Sequence, residues 1–479
     1  MSQDNKRGKA VKGVVWSAVE RFSVQGVQFI VSIILARLLS PEDFGMIAIV
    51  IVFSTIFQTI NESGFNTALV HKQDRDRLDY STAFVTNLLI GVISYVLLFT
   101  VAPWIAHFYE NAELTKVMRI LSLNLVINAL GLVPVAIYTI RVDFKTQARA
   151  SLVAAVLSGI VGVVSAYLIR NVYAIVIQQL TYSVIYVALM WMYANYKVSF
   201  TFSLGRFKVL FDFASKLIGA RLISVVFDDI YSLAIGKLYS PSSLGCYNRA
   251  QSFQQVLSKN IINIVQRVSV PMLCEVQNDN QQMKVVLLKF MCSTALVVYP
   301  MLAGLMVLSQ PLILIILGEQ WRESAEMLLF TCPIGFFYLI STFNRNIYNA
   351  TGRTDLALKT EFVKKIIFVA IFLLTMKYRI QILLLGLIFI SIIEMIIDVN
   401  MVKRQIGLTL LDEIKALIPI LFSTLIMSLI ICCINFLFES YLLKLSVGFV
   451  VGVLSYLSII LMFNVADCRK ELRNYGFKI

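Results

Sequence analysis

Charge is scarce in this chain. Of its 479 residues only 15% are charged while 58% are hydrophobic. A soluble domain carries about a quarter charged and about 45–50% apolar residues, so an ordinary water-exposed surface over the whole length is excluded. The seven cysteines show no CxxC pairing, and Cys274, Cys292, Cys332, Cys432 and Cys433 lie in or beside apolar runs. That pattern supports packing and neither a disulfide framework nor a metal site. His71 and His107 are the two histidines, both between apolar runs. A glycine-rich phosphate loop of Walker type is missing, which argues against an ATP site. Long hydrophilic segments are missing too. The longest loops run to about 10–16 residues, well short of the 50 or more of a separate catalytic domain.

What the chain has in quantity is apolar sequence. Runs such as LLIGVISYVLLFTVAPWIA (88–106) and LVAAVLSGIVGVVSAYLI (152–169) match the ~20 residues needed to cross a bilayer core. Fourteen such segments are predicted, from 14–36 to 445–465. The expected fold class is therefore an all-α polytopic membrane protein with about 14 transmembrane helices. The polar, basic start MSQDNKRGKAVKG leads directly into a full-length span, so no cleavable signal peptide is expected. The net charge of +14 would suit nucleic acid, but its placement argues against that partner. The two ends and alternate loops hold about 23 Lys and Arg, against about eight in the opposite loops, as the positive-inside rule requires. Both termini are expected in the cytoplasm.

Residues 36–45, ARLLSPEDFG, return 200 positions later as GKLYSPSSLG. Ser40 can cap a helix, Pro41 suits its first turn and Asp43 can close a capping box, and Ser240 with Pro241 can repeat the arrangement. At the same offset Arg21 meets Arg221, Ser32 meets Ser232 and Arg37 meets Lys237. Leu38, Ser40, Pro41 and Gly45 each meet an identical residue. Two six-helix halves in parallel orientation, followed by two further helices, would account for this, and parallel repeats of this kind are a transporter architecture. The expected divisions are an N-terminal bundle over 1–200, a second bundle over 201–405, and two added helices with a tail over 406–479.

Polar residues fall in stripes. Arg21, Gln25, Gln28 and Ser32 share one face of the first helix, and Arg221, Ser224, Asp228 and Ser232 share one face of the seventh. The eighth carries Asn248, Ser252, Gln255, Lys259 and Gln266, with Arg249 and Arg267 beside them, while the second carries Thr55, Thr59 and Glu62. A lysine or arginine facing lipid at mid-membrane costs about 2.5–3.5 kcal/mol. Arg21, Lys216, Arg221, Lys259 and Arg267 together would cost on the order of 12–17 kcal/mol, more than a domain's whole stability of about 5–15 kcal/mol. Snorkelling to the interface offers Arg267, Lys216 and Arg345 a bland solution, and Arg221 could simply pair with Asp228. The reading that covers the central residues is a water-filled cavity with a cationic lining, which implies an anionic cargo. Arginine suits phosphate because its planar fork can engage two oxygens. The hydrophilic stretch HKQDRDRLDY (71–80) reads as a solvated turn rather than a metal or sugar-nucleotide site.

The segments ARLLSPEDFGMIAI, ESGFNTALV (62–70), RVDFK (141–145), SPSSLGCYNRAQSF (240–253) and LGEQW (317–321) resemble the polysaccharide transporters of the MOP flippase superfamily, above all the Wzx-type lipopolysaccharide and exopolysaccharide flippases. The resemblance runs to about residue 360 and beyond it rests on hydropathy and helix count. It implies two pseudo-symmetric six-helix bundles around a central cavity plus two C-terminal helices, in the bacterial inner membrane. It implies no enzyme and no cofactor, but a cargo of undecaprenyl-pyrophosphate-linked oligosaccharide moved to the periplasmic leaflet by alternating access. A proton or sodium gradient would drive it, and a polysaccharide polymerase and chain-length machinery would be its protein partners. The pyrophosphate and sugar would be held by Arg21, Gln25, Gln28, Lys216, Arg221, Arg249, Gln255, Lys259 and Asn263. Glu62, Asp228, Glu361 and Glu394 are candidates for ion coupling, although Glu361 lies one turn from Lys364 and Lys365. Related flippases use arginines of the first, second and eighth helices. Arg21 and Arg249 fit, whereas the second helix here offers Glu62 and no arginine. A multidrug cation exporter of the same superfamily and a membrane glycosyltransferase or polymerase are the competing readings. A basic lining opposes the first, and short outer loops oppose the second.

Overall fold

The computed structural model describes residues 23–463 apart from 64, 73 and 195–199, with some side chains on the seventh predicted span and around residues 61–71 also outside the description. Every regular element among the described residues is helical. The chain divides into two compact units, Met1–Gly245 and Cys246–Ile479.

Unit 1 is built from α1 (Ser23–Leu38), α2 (Pro41–Ser63), α3 (Phe65–His71), α4 (Arg77–Phe108), α5 (Glu113–Leu121), α6 (Leu123–Ile140), α7 (Phe144–Ile169), α8 (Tyr173–Ala194) and α9 (Leu204–Leu238). With no water to drive helices together in lipid, close approach falls to small side chains. On α7 that role belongs to a buried stripe running through Ala148, Ser151, Ala155, Gly159, Gly162 and Ala166. A Cβ on Gly162 would lie 2.6 Å from the Gln178 side chain of α8, and one on Gly159 would lie 2.6 Å from Val31 of α1. A second cluster joins α3, α4, α6 and α9 through Leu69, Phe84, Val133 and Leu210.

The start of α2 is the predicted capping box. Ser40 N–H donates to Asp43 Oδ2 at 2.9 Å, and Asp43 N–H donates to Ser40 Oγ at 3.2 Å. The repeat caps α10 (Pro241–Leu257) in the same way, Ser243 N–H donating to Ser240 Oγ at 3.0 Å. The two copies also touch each other. A Cβ added to Gly45 would stand 1.7 Å from the Pro241 carbonyl oxygen, and one added to Gly245 would stand 1.9 Å from the Pro41 carbonyl oxygen. Each hairpin thus supplies a glycine to the other's helix start, a reciprocal contact that any side chain would break.

In the stretch HKQDRDRLDY, Asp74, Asp76 and Arg77 are exposed, as in a solvated turn, while Asp79 is tied down. Asp79 is fully buried and pairs with Lys72 at 2.5 Å and with Arg206 at 3.7 Å, while Asp76 pairs with Arg206 at 2.9 Å. Asp76 and Asp79 cap α4 reciprocally, and the backbone N–H that Asp79 offers Asp76 holds the Asp76 carboxyl below the ordinary carboxylate range. No group of three or more His, Cys, Asp or Glu able to hold a metal is found among the described residues.

Unit 2 continues α10 and adds α11 (Lys259–Glu275), α12 (Asn280–Val307), α13 (Ser309–Ile316), α14 (Arg322–Ala350), α15 (Thr354–Thr375), α16 (Ile380–Ile406), α17 (Leu410–Leu437) and α18 (Tyr441–Phe463). α10 and α11 form one helix with an irregularity at Ser258, since Ser258 N–H still donates to Gln254 O and Ile262 N–H to Ser258 O. The core is a stripe of α12 (Met283, Leu287, Met291, Ala295, Val298) against Leu339, Phe343 and Ile347 of α14 and Val399 and Val402 of α16. α17 packs on α12, and α18 packs on α17 and α13. Tyr456 ties α18 to α12 by donating to Leu296 O at 2.8 Å.

Ten helices among the described residues are long and apolar enough to cross a membrane. The segments predicted at 14–36, 209–237, 246–271 and 361–376 fall outside that set. Their described parts, in α1, α9, α10–α11 and α15, are helical all the same. α9 and α15 miss it through charge, with Arg206, Lys208, Asp212, Arg221, Asp229 and Lys237 on α9 and Asp355, Lys359, Glu361, Lys364 and Lys365 on α15. α10–α11 is polar along much of its length, and the described part of α1 is short. The polar content of the molecule is therefore concentrated in a few helices.

In unit 2 one charge of α15, that of Lys364, is neutralised at a buried pair. Lys364 Nζ lies 2.7 Å from Asp398 Oδ1 and 2.8 Å from Oδ2, with both side chains at most 1% exposed. Ser341 Oγ also donates to Asp398. Removing one member of such a pair leaves an uncompensated charge and costs about 3–5 kcal/mol, whereas replacing both by apolar residues is near neutral. Lys364→Met is therefore expected to lower the melting temperature in detergent sharply, and Lys364→Met with Asp398→Leu to recover most of the loss. Gly45→Ala and Gly245→Ala are each expected to destabilise by about 1–3 kcal/mol through overpacking. Gly304→Ala, in a helix with nothing within 4 Å of the new methyl, should be neutral or stabilising.

Candidate functional site

The residues proposed to hold an anion and a sugar divide between the units. In unit 1, Gln25 and Gln28 of α1 are exposed, as is Arg221 on α9, which forms no ion pair with a described residue. Arg21 lies outside the described residues, as do the side chains of Lys216, Glu62 and Asp228, so the Arg221–Asp228 pair falls outside the description as well.

In unit 2, α10–α11 presents Arg249, Gln255, Lys259 and Asn263, all half-buried. The i, i+4, i+8 spacing of the last three puts them on one helical face. The Arg249 guanidinium sits 5.7 Å from the Trp321 ring, and Lys259 Nζ sits 5.8 Å from the Tyr338 ring. Arg345 of α14 lies 6.0 Å from the same tyrosine, so one ring is flanked by two cations. Cation–π contacts of this kind stabilise by about 0.5–2 kcal/mol and hold the cation without neutralising it. Lys259 can thus be fixed in place and still attract an anion, whereas Arg345 also has a carboxylate partner in Glu361.

Glu361 and Glu394 belong to a charged group between α14, α15 and α16. Glu361 lies 3.4 Å from Arg345 and 3.5 Å from Lys364. Glu394 stands one turn before Asp398 on α16, on the same face. The spacing of Glu361 and Lys364 gave half of this arrangement. Asp398 and Ser341 were not among the residues the sequence singled out, and the available signal was a second acid, one turn after Glu394, inside the apolar run ISIIEMIIDVNM. The group supplies acids close to cations, an arrangement in which gaining or losing one proton changes the local charge balance.

Beside it, α11, α14 and α15 enclose a cavity of about 280 Å³ lined by Gln266, Tyr338, Thr342, Arg345, Asn346 and Glu361, among others. Gln266 Nε2 donates to Asn346 Oδ1 at 2.9 Å, and Arg345 donates to Thr342 Oγ1 at 3.3 Å.

The polysaccharide biosynthesis protein family matches residues 34–326, more than half of the chain. The teichuronic acid biosynthesis protein TuaB of Bacillus subtilis (strain 168) is 25% identical over 349 residues, 72% of this chain and 72% of its own length. The lipopolysaccharide biosynthesis protein WzxC of Escherichia coli (strain K12) is 22% identical over 366 residues, 76% of this chain and 74% of its own. A solved structure of the lipid II flippase MurJ in an inward closed conformation is similar with a TM-score of 0.74 at 18% identity, covering 94% of this chain and 99% of that one. That likeness is one of fold. Many apolar helices, a few polar ones that collect the charge, and a family match over more than half of the chain lead to one assignment: the chain belongs to the polysaccharide biosynthesis protein family.

Proposed function

We propose that this protein is a flippase for an undecaprenyl-pyrophosphate-linked oligosaccharide, such as the repeat unit of an O-antigen, capsule or exopolysaccharide. It would carry that molecule from the cytoplasmic to the periplasmic leaflet of a bacterial inner membrane by alternating access. Both termini and the basic loops face the cytoplasm in this reading, as the distribution of Lys and Arg favours. The observation that carries it is the concentration of cations and amides on α9 and α10–α11, helices set apart by their polarity from the apolar spans. Charge inside a membrane protein is retained where it meets water, a partner or a cargo. The names of the relatives, which concern teichuronic acid and lipopolysaccharide biosynthesis, support a glycan cargo.

In the proposed mechanism Arg21, Lys216, Arg221, Arg249 and Lys259 hold the pyrophosphate, and Gln25, Gln28, Gln255 and Asn263 meet sugar hydroxyls. The prenyl tail stays in lipid. The cargo carries its charge across only while these cations replace its hydration. Re-orientation of the six-helix halves, 1–200 and 201–405, then exposes it on the far side. A proton or sodium gradient drives the cycle through Glu62, Asp228, Glu361 or Glu394. A polymerase with its chain-length machinery consumes the product.

Proteoliposomes loaded with labelled undecaprenyl-pyrophosphoryl oligosaccharide test this reading by leaflet accessibility. The wild-type protein should translocate the label with the glycan unchanged, faster when an ion gradient is imposed. A lengthened or cleaved glycan would make the protein an enzyme, and selective transport of organic cations would make it an exporter. Each charge-assisted hydrogen bond contributes about 1.5–3 kcal/mol, so Arg21→Ala, Arg221→Ala and Arg249→Ala should each slow translocation about 10–150-fold at near-normal protein level. Arg249→Lys keeps the charge but loses the fork, and should fall between the two. Normal rates in all three alanine variants would remove the cationic site from the mechanism.

A further inference from the structure

The cavity enclosed by α11, α14 and α15 lies wholly within unit 2, and its chemistry differs from that of an anion site. Its two charged lining groups oppose each other, Arg345 Nη1 standing 3.4 Å from Glu361 Oε1, and both remain more than a third exposed. A phosphate there would meet the Glu361 carboxylate, and a metal ion or organic cation would meet the Arg345 guanidinium. The cavity therefore selects against charge of either sign. It is nonetheless polar. Asn346 is 1% exposed, its Oδ1 is taken by Gln266, and its Nδ2 has no partner among the described residues. A buried amide donor left unpaired is costly, by about 1–3 kcal/mol, and its residue belongs to the wall of a volume of about 280 Å³. Small-molecule sites begin at about 300 Å³, so the space suits one ring rather than a chain of rings.

We infer that this cavity is a sugar subsite that takes one uncharged pyranose residue. Neighbouring hydroxyls of such a ring can accept from the Arg345 guanidinium and donate to the Glu361 carboxylate, meeting both halves of the pair without disturbing its neutrality. Another hydroxyl, or an acetamido carbonyl, accepts from Asn346 Nδ2. This assignment rests on the glycan-transport reading for its biological ligand, but the recognition chemistry is that of the cavity alone. It also separates two tasks: the cations of α9 and α10–α11 serve the pyrophosphate, and this neutral cavity reads a sugar.

Saturation-transfer difference NMR tests it on the full-length protein in a detergent without a sugar head group. The probes are the methyl pyranosides of glucose, galactose, mannose and N-acetylglucosamine. At least one should receive saturation from the wild-type protein. Ala357→Phe, which fills the cavity from its α15 wall, should abolish that signal. Asn346→Leu should weaken binding on the order of tenfold. Melting temperatures establish that each variant is folded, and a folded Ala357→Phe suffices if Asn346→Leu is not. Absence of signal from all four probes in the wild type, or an equal signal in Ala357→Phe, overturns the subsite. If the wild type translocates the lipid-linked glycan but binds no pyranoside, the subsite fails and the transport reading stands. Pyranoside binding that is lost in Ala357→Phe, without any translocation, leaves the sugar site standing and removes the flippase.

Discussion

The cost of placing charge among lipid chains orders this molecule. At about 2.5–3.5 kcal/mol for each uncompensated lysine or arginine at mid-membrane, a chain of 42 Lys and Arg must send its cations to loops, to partners, or to surfaces where water or cargo meets them. All three solutions occur. Lys72 and Arg206 neutralise the acids that begin α4. Lys364 is buried against Asp398. Arg221 remains exposed, and Lys259 rests beside an aromatic ring with its charge intact. That last group is the one with chemistry to spare, and it is the one the transport reading uses.

The repeated hairpin acquires a physical reason. Among the positions repeated at an offset of 200 are Pro41 and Gly45, and these with Pro241 and Gly245 make the reciprocal contact between the two helix starts. A duplicated segment can drift wherever it faces lipid or loop. It cannot drift where each copy is the other's packing surface and a single methyl would collide with a carbonyl. Of the repeated identities, Pro41 and Gly45 with their counterparts Pro241 and Gly245 are the ones that touch.

Much of the fold was legible because a bilayer makes helix a near-obligatory solution and writes each span as an apolar run. The caps at Ser40 and Ser240 were legible because they are local, decided by residues three apart. The Lys364–Asp398 pair was not, because it joins residues 34 apart on α15 and α16 with a third partner on α14. Glu361 and Lys364 stand three apart on one helix and are visible together in the sequence, whereas their partner on α16 is not. The burial of Asp79 within HKQDRDRLDY was hidden for the same reason: Arg206, which pairs with Asp76 and Asp79, lies more than a hundred residues away. Of the candidate site, the helical faces could be read from spacing, whereas the sharing of Tyr338 by Lys259 and Arg345 and the cavity beside it needed three helices in place.

The claim on which the account turns is that these polar faces meet water and cargo rather than lipid. Single cysteines at Gln25, Arg221, Gln255, Lys259 and Asn263, in a cysteine-free background in native membranes, can be challenged with a membrane-impermeant maleimide. Leu157, Ile160 and Val164, exposed apolar positions on α7, serve as the comparison. The first group should react, the second should not, and added undecaprenyl-pyrophosphoryl oligosaccharide should protect the first. Polar-face positions as inert as those on α7 would contradict it.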